Sequence, residues 1–230
     1  HLRTRRQRQM CIRDRLNRVI AGLYSPGSTF KMVVYAAALE AGVISTDTSY
    51  NCKGFFEFGD RDFYCWQEKG HGVVNGRQAI AQSCDVYFYQ IALKTGIERI
   101  HNMAKRMGLG EITNVGIPDE KVGIMPNREW KKNTRGTVWT PGETVIAGIG
   151  QGFVLTTPIQ LSVMTARLAN GKKAVKATLL SEATKNPDDF PPLDISSSVL
   201  REIQRSMRSV ISSGRGTARK YELNGYGLAG

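Results

Sequence analysis

The chain has 230 residues, 41% of them hydrophobic, which is enough for one sizeable core and too short for two ordinary domains. Its 24 glycines and 8 prolines are dispersed, which excludes a collagen-like or low-complexity chain, and no internal repeat recurs. The net charge of +12 raises nucleic-acid binding, but residues 1–16 alone supply +5 of it, from six arginines against Asp14; the rest is a moderately basic surface, and no nucleic-acid partner is expected.

Residues 1–16 show no apolar period and are read as a basic extension, non-native or disordered, with a functional basic arm as the alternative. Residues 17–230 are read as the domain. No apolar run approaches the roughly 18 residues needed to span a bilayer, and no signal-peptide core is present. From Phe30 the apolar positions Phe30, Val33, Val34, Ala37, Ala38 and Ala41 follow one helical face, with Gly42 as its stop. Ser28 therefore stands at the N-terminus of that helix. Ser28-Thr29-Phe30-Lys31 puts a hydroxyl and an amine three residues apart on one face, the geometry of a serine activated by a lysine. The lysine can accept the proton only if its amine is kept neutral, and the helix start offers N–H groups and a positive dipole end to developing negative charge. The same pattern also fits a capping serine beside a solvated lysine.

Residues 51–72 are rich in glycine, aromatics and charge without a clear period, so an irregular excursion with a short hairpin is expected. Helical patterns resume near Gly76 and run, with a break around Ser83, to Gly96; a further helix fits Ile97 to Met107. In that break Ser83 and Asp85 either cap the next helix or carry chemistry. Cys52, Cys65, His71 and Cys84, separated by 12, 5 and 12 residues, offer three thiolates and an imidazole, a closed tetrahedral zinc set. A Cys52–Cys65 disulfide with Cys84 free, or three unlinked thiols, are the alternatives. Residues 111–147 read as a long loop. Thr157, Pro158, Gln160 and Gly171 then sign a capped helix, and Val199, Leu200, Ile203, Met207, Val210 and Ile211 an amphipathic one. Tyr221–Gly230 suggests two short strands around Asn224-Gly225.

Taken together, Gly22-Leu23-Tyr24-Ser25-Pro26-Gly27-Ser28-Thr29-Phe30-Lys31, Ser83-Cys84-Asp85, Gly148-Ile149-Gly150-Gln151-Gly152 and Thr156-Thr157-Pro158-Ile159-Gln160 closely resemble the motifs of penicillin-binding transpeptidases. Gly123-Ile124-Met125-Pro126-Asn127-Arg128-Glu129-Trp130 extends the likeness. Asp85, where most of the family has asparagine, resembles the penicillin-binding protein 2 branch, and could hold Lys31 or a substrate amide. The resemblance implies an α/β serine penicillin-recognising fold with a sheet packed between helices, its C-terminal strands incomplete. It implies a D,D-transpeptidase or carboxypeptidase in which Ser28 is acylated, Lys31 takes its proton, Ser83 serves the leaving group, and Gly150, Gln151 and Gly152 border the substrate groove. Peptidoglycan stem peptides and β-lactams are the expected ligands. No catalytic cofactor is expected, and a structural zinc occurs in some relatives of this branch.

The expected setting is the periplasmic face of the bacterial inner membrane, through an N-terminal anchor outside these residues and within a cell-wall elongation complex. A lysine-threonine-glycine motif is expected immediately after Gly230, so the 230 residues alone are expected to be catalytically crippled. A class D β-lactamase or β-lactam sensor, and a non-catalytic zinc-stabilised scaffold, are the rival readings; the absence of a Ser-x-Val second motif argues against the first.

Overall fold

The computed structural model describes residues 17–179, 189–223 and 227–230. The expected basic extension at 1–16 lies outside the described residues. A short helix, α1 (Arg18–Ala21), and a 3₁₀ turn (Gly27–Phe30) lead into α2 (Lys31–Glu40). The apolar stripe predicted one buried face, yet α2 buries every residue from Lys31 to Ala38. A helix apolar all round belongs at the centre of a core, and three consecutive alanines let its neighbours approach closely.

Two antiparallel ribbons follow. β1 (Ser49–Cys52) pairs with β4 (Gly72–Asn75), Cys52 opposite Gly72. Between them β2 (Phe55–Phe58) and β3 (Arg61–Tyr64) form the expected hairpin, Phe58 opposite Arg61. The stretch is therefore more regular than its composition suggests. Asn75 caps α3 (Gly76–Ala81) through a capping box, and α4 (Asp85–Thr95) and α5 (Ile97–Arg106) complete the wall around α2.

Residues 111–147 differ from the expected loop by two helices, α6 (Arg128–Arg135) and α7 (Pro141–Ala147). Their caps were legible. Asn127 accepts from Trp130 N and Gly136 closes α6 in the left-handed region, while Thr140, Pro141 and Glu143 form a capping box for α7. What hid them is polarity, since α6 buries only Lys131. Helix α8 (Pro158–Asn170) starts at Thr157 with Gln160 completing the box and ends at Gly171, as its sequence signs. Helix α9 (Ser197–Ser212) packs on α3, where Arg77 makes a two-pronged ion pair with the buried Glu202.

Among the described residues the strands form only these two ribbons. The expected sheet between helices is not formed within them: Arg219–Tyr221 is a 3₁₀ turn, and residues 227–230 carry no strand. The Asn224-Gly225 turn lies outside the described residues. An isolated two-stranded ribbon is marginal, and Gly230 instead donates its N–H to Met207 O at 2.9 Å.

The turn bearing Ser28 is stitched to the 150–156 segment, through Gly27 N to Gly150 O at 3.0 Å and a mutual Tyr24–Thr156 pair. Gly150 has φ +69°, and a Cβ there would lie 2.3 Å from Gly27 O and 2.7 Å from Phe30 Cβ. Gly150→Ala should therefore destabilise the chain by about 2 kcal/mol or more, lowering Tm by several degrees. Thermal unfolding checks this, and an unchanged Tm would contradict the packing.

Candidate active site

Pro26 at φ −67° and Gly27 at φ +57° turn the chain so that Ser28 stands in the 3₁₀ turn and Lys31 begins α2. Lys31 is only 2% exposed. A buried ammonium must be neutralised and hydrogen-bonded where it stands, and Lys31 donates to Asp85 Oδ1 at 2.7 Å, Ser83 O at 2.9 Å and Ser83 Oγ at 3.0 Å. The Ser83 hydroxyl in turn donates to Ser28 Oγ at 2.9 Å. The expected pairing of Ser28 with Lys31 is thus met indirectly, with Ser83 as the bridge. The amine is also 5.5 Å from the Phe88 ring centroid.

Ser83 adopts φ +53°, a left-handed conformation unusual for a side-chain-bearing residue. It occupies the position after α3 where a helix most often places glycine: Ser83 N donates to Ile80 O at 3.1 Å and Cys84 N to Ala79 O at 2.8 Å, the paired bonds of a Schellman ending. Its carbonyl is held by Lys31 and by the Trp66 indole N–H, at 3.0 Å. Asp85 opens α4, and its second carboxylate oxygen accepts the Trp66 backbone N–H at 3.0 Å. So Ser83 and Asp85 are not mere caps: Cys84 is the N-cap and makes no side-chain cap bond.

These groups meet at a cleft of about 710 Å³ whose wall includes Ser28, Ser83, Asp85, Trp66, Tyr89 and Gln151. Of the three residues expected at the groove, Gln151 lines it, Gly150 packs behind the Ser28 turn, and Gly152 turns at φ +71° against Ile146. Sequence reasoning missed Trp66, Tyr64 and Thr217, which also line the cleft. Only the adjacency of Trp66 to Cys65 hinted at a role; nothing in the spacing marked Thr217, which folding brings across by donating its N–H to Ala81 O at 3.0 Å.

The family model described as "Penicillin binding protein transpeptidase domain" matches residues 3–230. The chain belongs to this family. It is 41% identical to the peptidoglycan D,D-transpeptidase MrdA of Acinetobacter baumannii over 156 residues, 67% of this chain and 23% of that one. To the MrdA of Escherichia coli K12 it is 34% identical over 216 residues, 90% of this chain and 34% of that one. Among solved structures, Pseudomonas aeruginosa PBP2 in complex with WCK 5153 matches with a TM-score of 0.85 and 38% identity, over 93% of this chain and 49% of that one. A complex between PBP2 and MreC from Helicobacter pylori gives 0.85 and 33%, over 93% of this chain and 41% of the matched one. This transpeptidase-family chain thus has the α/β penicillin-recognising fold, and spans about a quarter to a third of the curated relatives.

In the same chain the two ribbons gather a second cluster. One side-chain sulfur or ring nitrogen from each of Cys52, Cys65, His71 and Cys84 lies within 4.8 Å of the other three, a group that could hold a metal ion. Cys52 ends β1, Cys65 follows β3 and His71 precedes β4, so the ribbon register brings them together. His71 Nδ1 is 3.6 Å from Cys52 Sγ and 3.5 Å from Cys65 Sγ. A sulfur at about 2.3 Å and a nitrogen at about 2.1 Å from one tetrahedral centre stand about 3.6 Å apart, and the two His71–cysteine distances match that spacing. All three cysteines are buried and unlinked. A hydrogen bond from Cys84 holds the Cys65 thiol down at about 5, while the same contact and burial push Cys84 up, so Cys65 is the readier thiolate.

Because Asp85 supplies the one carboxylate paired with buried Lys31, Asp85→Ala should cost about 3–5 kcal/mol, and Asp85→Asn, which keeps an acceptor, less. Urea unfolding measures both. A loss under about 1 kcal/mol for the alanine variant would mean that Lys31 is stabilised by something else.

Proposed function

We propose that this chain carries the acylating machinery of a peptidoglycan D,D-transpeptidase, with Ser28 as nucleophile. The observation that carries the reading is the Lys31–Ser83–Ser28 hydrogen-bond chain at the mouth of the cleft. Ser28 Oγ attacks the carbonyl carbon of the penultimate D-alanine of a stem peptide. Its proton passes through the Ser83 hydroxyl to the Lys31 amine, which must be neutral at that moment. As the tetrahedral intermediate collapses, the C–N bond breaks and the departing D-alanine nitrogen takes a proton back through Ser83. The acyl ester then yields to an amino group of a neighbouring stem, whose surplus proton passes to Lys31 by the same path and is returned to Ser28 Oγ as the ester C–O bond breaks. A β-lactam acylates by the same first step, its amide nitrogen remaining tethered to the acyl group. Asp85 holds Lys31 in place, and Gln151 is set to meet the peptide along the cleft.

This reading carries its setting with it. Stem peptides are cross-linked at the periplasmic face of the inner membrane, which is where we assign the chain, tethered by a membrane anchor outside the described residues. The likeness to a PBP2 structure in complex with MreC and to a structure of a peptidoglycan synthase complex supports a partnership in a cell-wall elongation complex.

For the cysteine–histidine cluster the reading is a structural zinc held by Cys52, Cys65, Cys84 and His71 Nδ1. The donor spacing and the lowered Cys65 thiol support it. Three thiolates and an imidazole form a closed site with no open position for substrate, so the ion would serve structure. Its value to the site would be to fix Cys84, which stands between Ser83 and Asp85.

In a form of the protein extended through a lysine-threonine-glycine strand, Ser28→Ala should abolish covalent labelling by fluorescent penicillin. Lys31→Ala should slow labelling by about two orders of magnitude or more. Full labelling of Ser28→Ala would remove it as nucleophile, and rapid turnover of the adduct would point to a β-lactamase. Metal analysis should find about one zinc per chain, and Cys84→Ser should lower both zinc content and acylation rate. Metal-free purified protein bearing a Cys52–Cys65 disulfide would refute the zinc.

A further inference from the structure

Trp66 belongs to none of the three motif segments that build the site, yet it grips the same two acceptors as Lys31. Lys31 reaches Ser83 O and the Asp85 carboxylate from the buried helix α2. Trp66 reaches them from the opposite, cleft side: its indole N–H is shared between Gln82 O at 3.1 Å and Ser83 O at 3.0 Å, and its backbone N–H goes to Asp85 Oδ2 at 3.0 Å. Trp66 is 57% exposed, so burial does not account for its position. Its ring also meets His71 edge-on, with centroids 5.4 Å apart, and it follows Cys65 directly.

What needs holding is Ser83. A serine at φ +53° is strained relative to its right-handed alternative, and such a residue persists only where its surroundings fix it. Rotation of that peptide would swing the Ser83 carbonyl away from both donors and its hydroxyl away from Ser28. The strain of one left-handed residue is comparable to the net worth of a single hydrogen bond, so the loss of one of the two clamps is enough to matter. Lys31 alone cannot supply the constraint, because it must change its own hydrogen bonding when it takes and returns a proton. An indole N–H does not titrate and stays a donor throughout.

We propose that Trp66 is a positioning residue that locks Ser83 in its left-handed conformation and ties that turn to the cysteine–histidine cluster; the inference rests on the acylation reading above. Its geometry implies two effects of Trp66→Phe, which keeps an aromatic wall and the backbone N–H but loses the indole donor. In the 230-residue chain, amide hydrogen exchange at Ser83 and Cys84 should quicken by about tenfold while that of α8 stays unchanged. In the form extended through a lysine-threonine-glycine strand, the first-order acylation step by a penicillin should fall about tenfold, with the preceding binding constant within about twofold of the parent.

Unchanged exchange at Ser83 and Cys84 would overturn the proposal. So would an unchanged acylation step accompanied by weaker binding, which would make Trp66 a wall of the cleft and nothing more. Exchange is read without any reaction, so it still judges the clamp if Ser28→Ala shows that the nucleophile is misassigned. Should phenylalanine disturb folding, replacing the Trp66 indole by its benzothiophene analogue removes only the N–H and gives the same two readouts.

Discussion

A cation taken out of water at the start of a core helix dictates the arrangement of everything around it. Lys31 has lost almost all contact with solvent, and an unpaired ammonium there would not be tolerated. Its three hydrogens find one carboxylate, one carbonyl and one hydroxyl, all supplied by Ser83 and Asp85. Satisfying the amine and placing the Ser83 hydroxyl against Ser28 are therefore one requirement. The left-handed Ser83 backbone serves it, because that turn presents carbonyl and hydroxyl to the amine together while ending α3 and starting α4.

The scaffold keeps these three points fixed by packing from several directions. Helix α2 is buried along nearly its whole length, so Lys31 has little room to shift. The Ser28 turn leans on Gly150, where any side chain would collide with it, and α3 is braced to α9 through the buried Glu202. On the cleft side the ribbons bring Trp66 over the Ser83 turn and close the cysteine–histidine cluster beneath it. Gly70 makes that closure possible, since a Cβ there would lie 2.1 Å from Cys52 O. Cleft and cluster thus share one loop: Ser83 and Asp85 line the cleft, and Cys84 between them belongs to the cluster.

Much of this was legible in the sequence because it rests on short, directional signals. The break at Ser83 and the capping box at Thr157 each announce a local geometry that is found, and the three cysteines and the histidine singled out by residue type do come together. Signals that depend on periodicity failed where the burial is unusual. Helix α6 is almost wholly polar and escaped notice despite its Asn127 cap, and α2 is buried on faces its stripe did not mark. Contacts fixed only by folding were not legible at all. No spacing says that Trp66 lies over Ser83, that Thr217 reaches the cleft, or that Lys31 meets Ser28 through a third residue. The sheet expected from family resemblance needs strand partners, and the described part of Tyr221–Gly230 pairs with none.

The central claim is that Ser83 is the bridge between nucleophile and base. Acylation rates of Ser83→Ala, Lys31→Ala and the double variant, in the form extended through a lysine-threonine-glycine strand, test it most directly. If the proton passes through the Ser83 hydroxyl, each single variant should lose about two orders of magnitude or more, and the double variant should be little slower than the worse single one. If Ser83→Ala is acylated at the parent rate, or the two losses multiply, the proton reaches Lys31 by another path and the account is wrong.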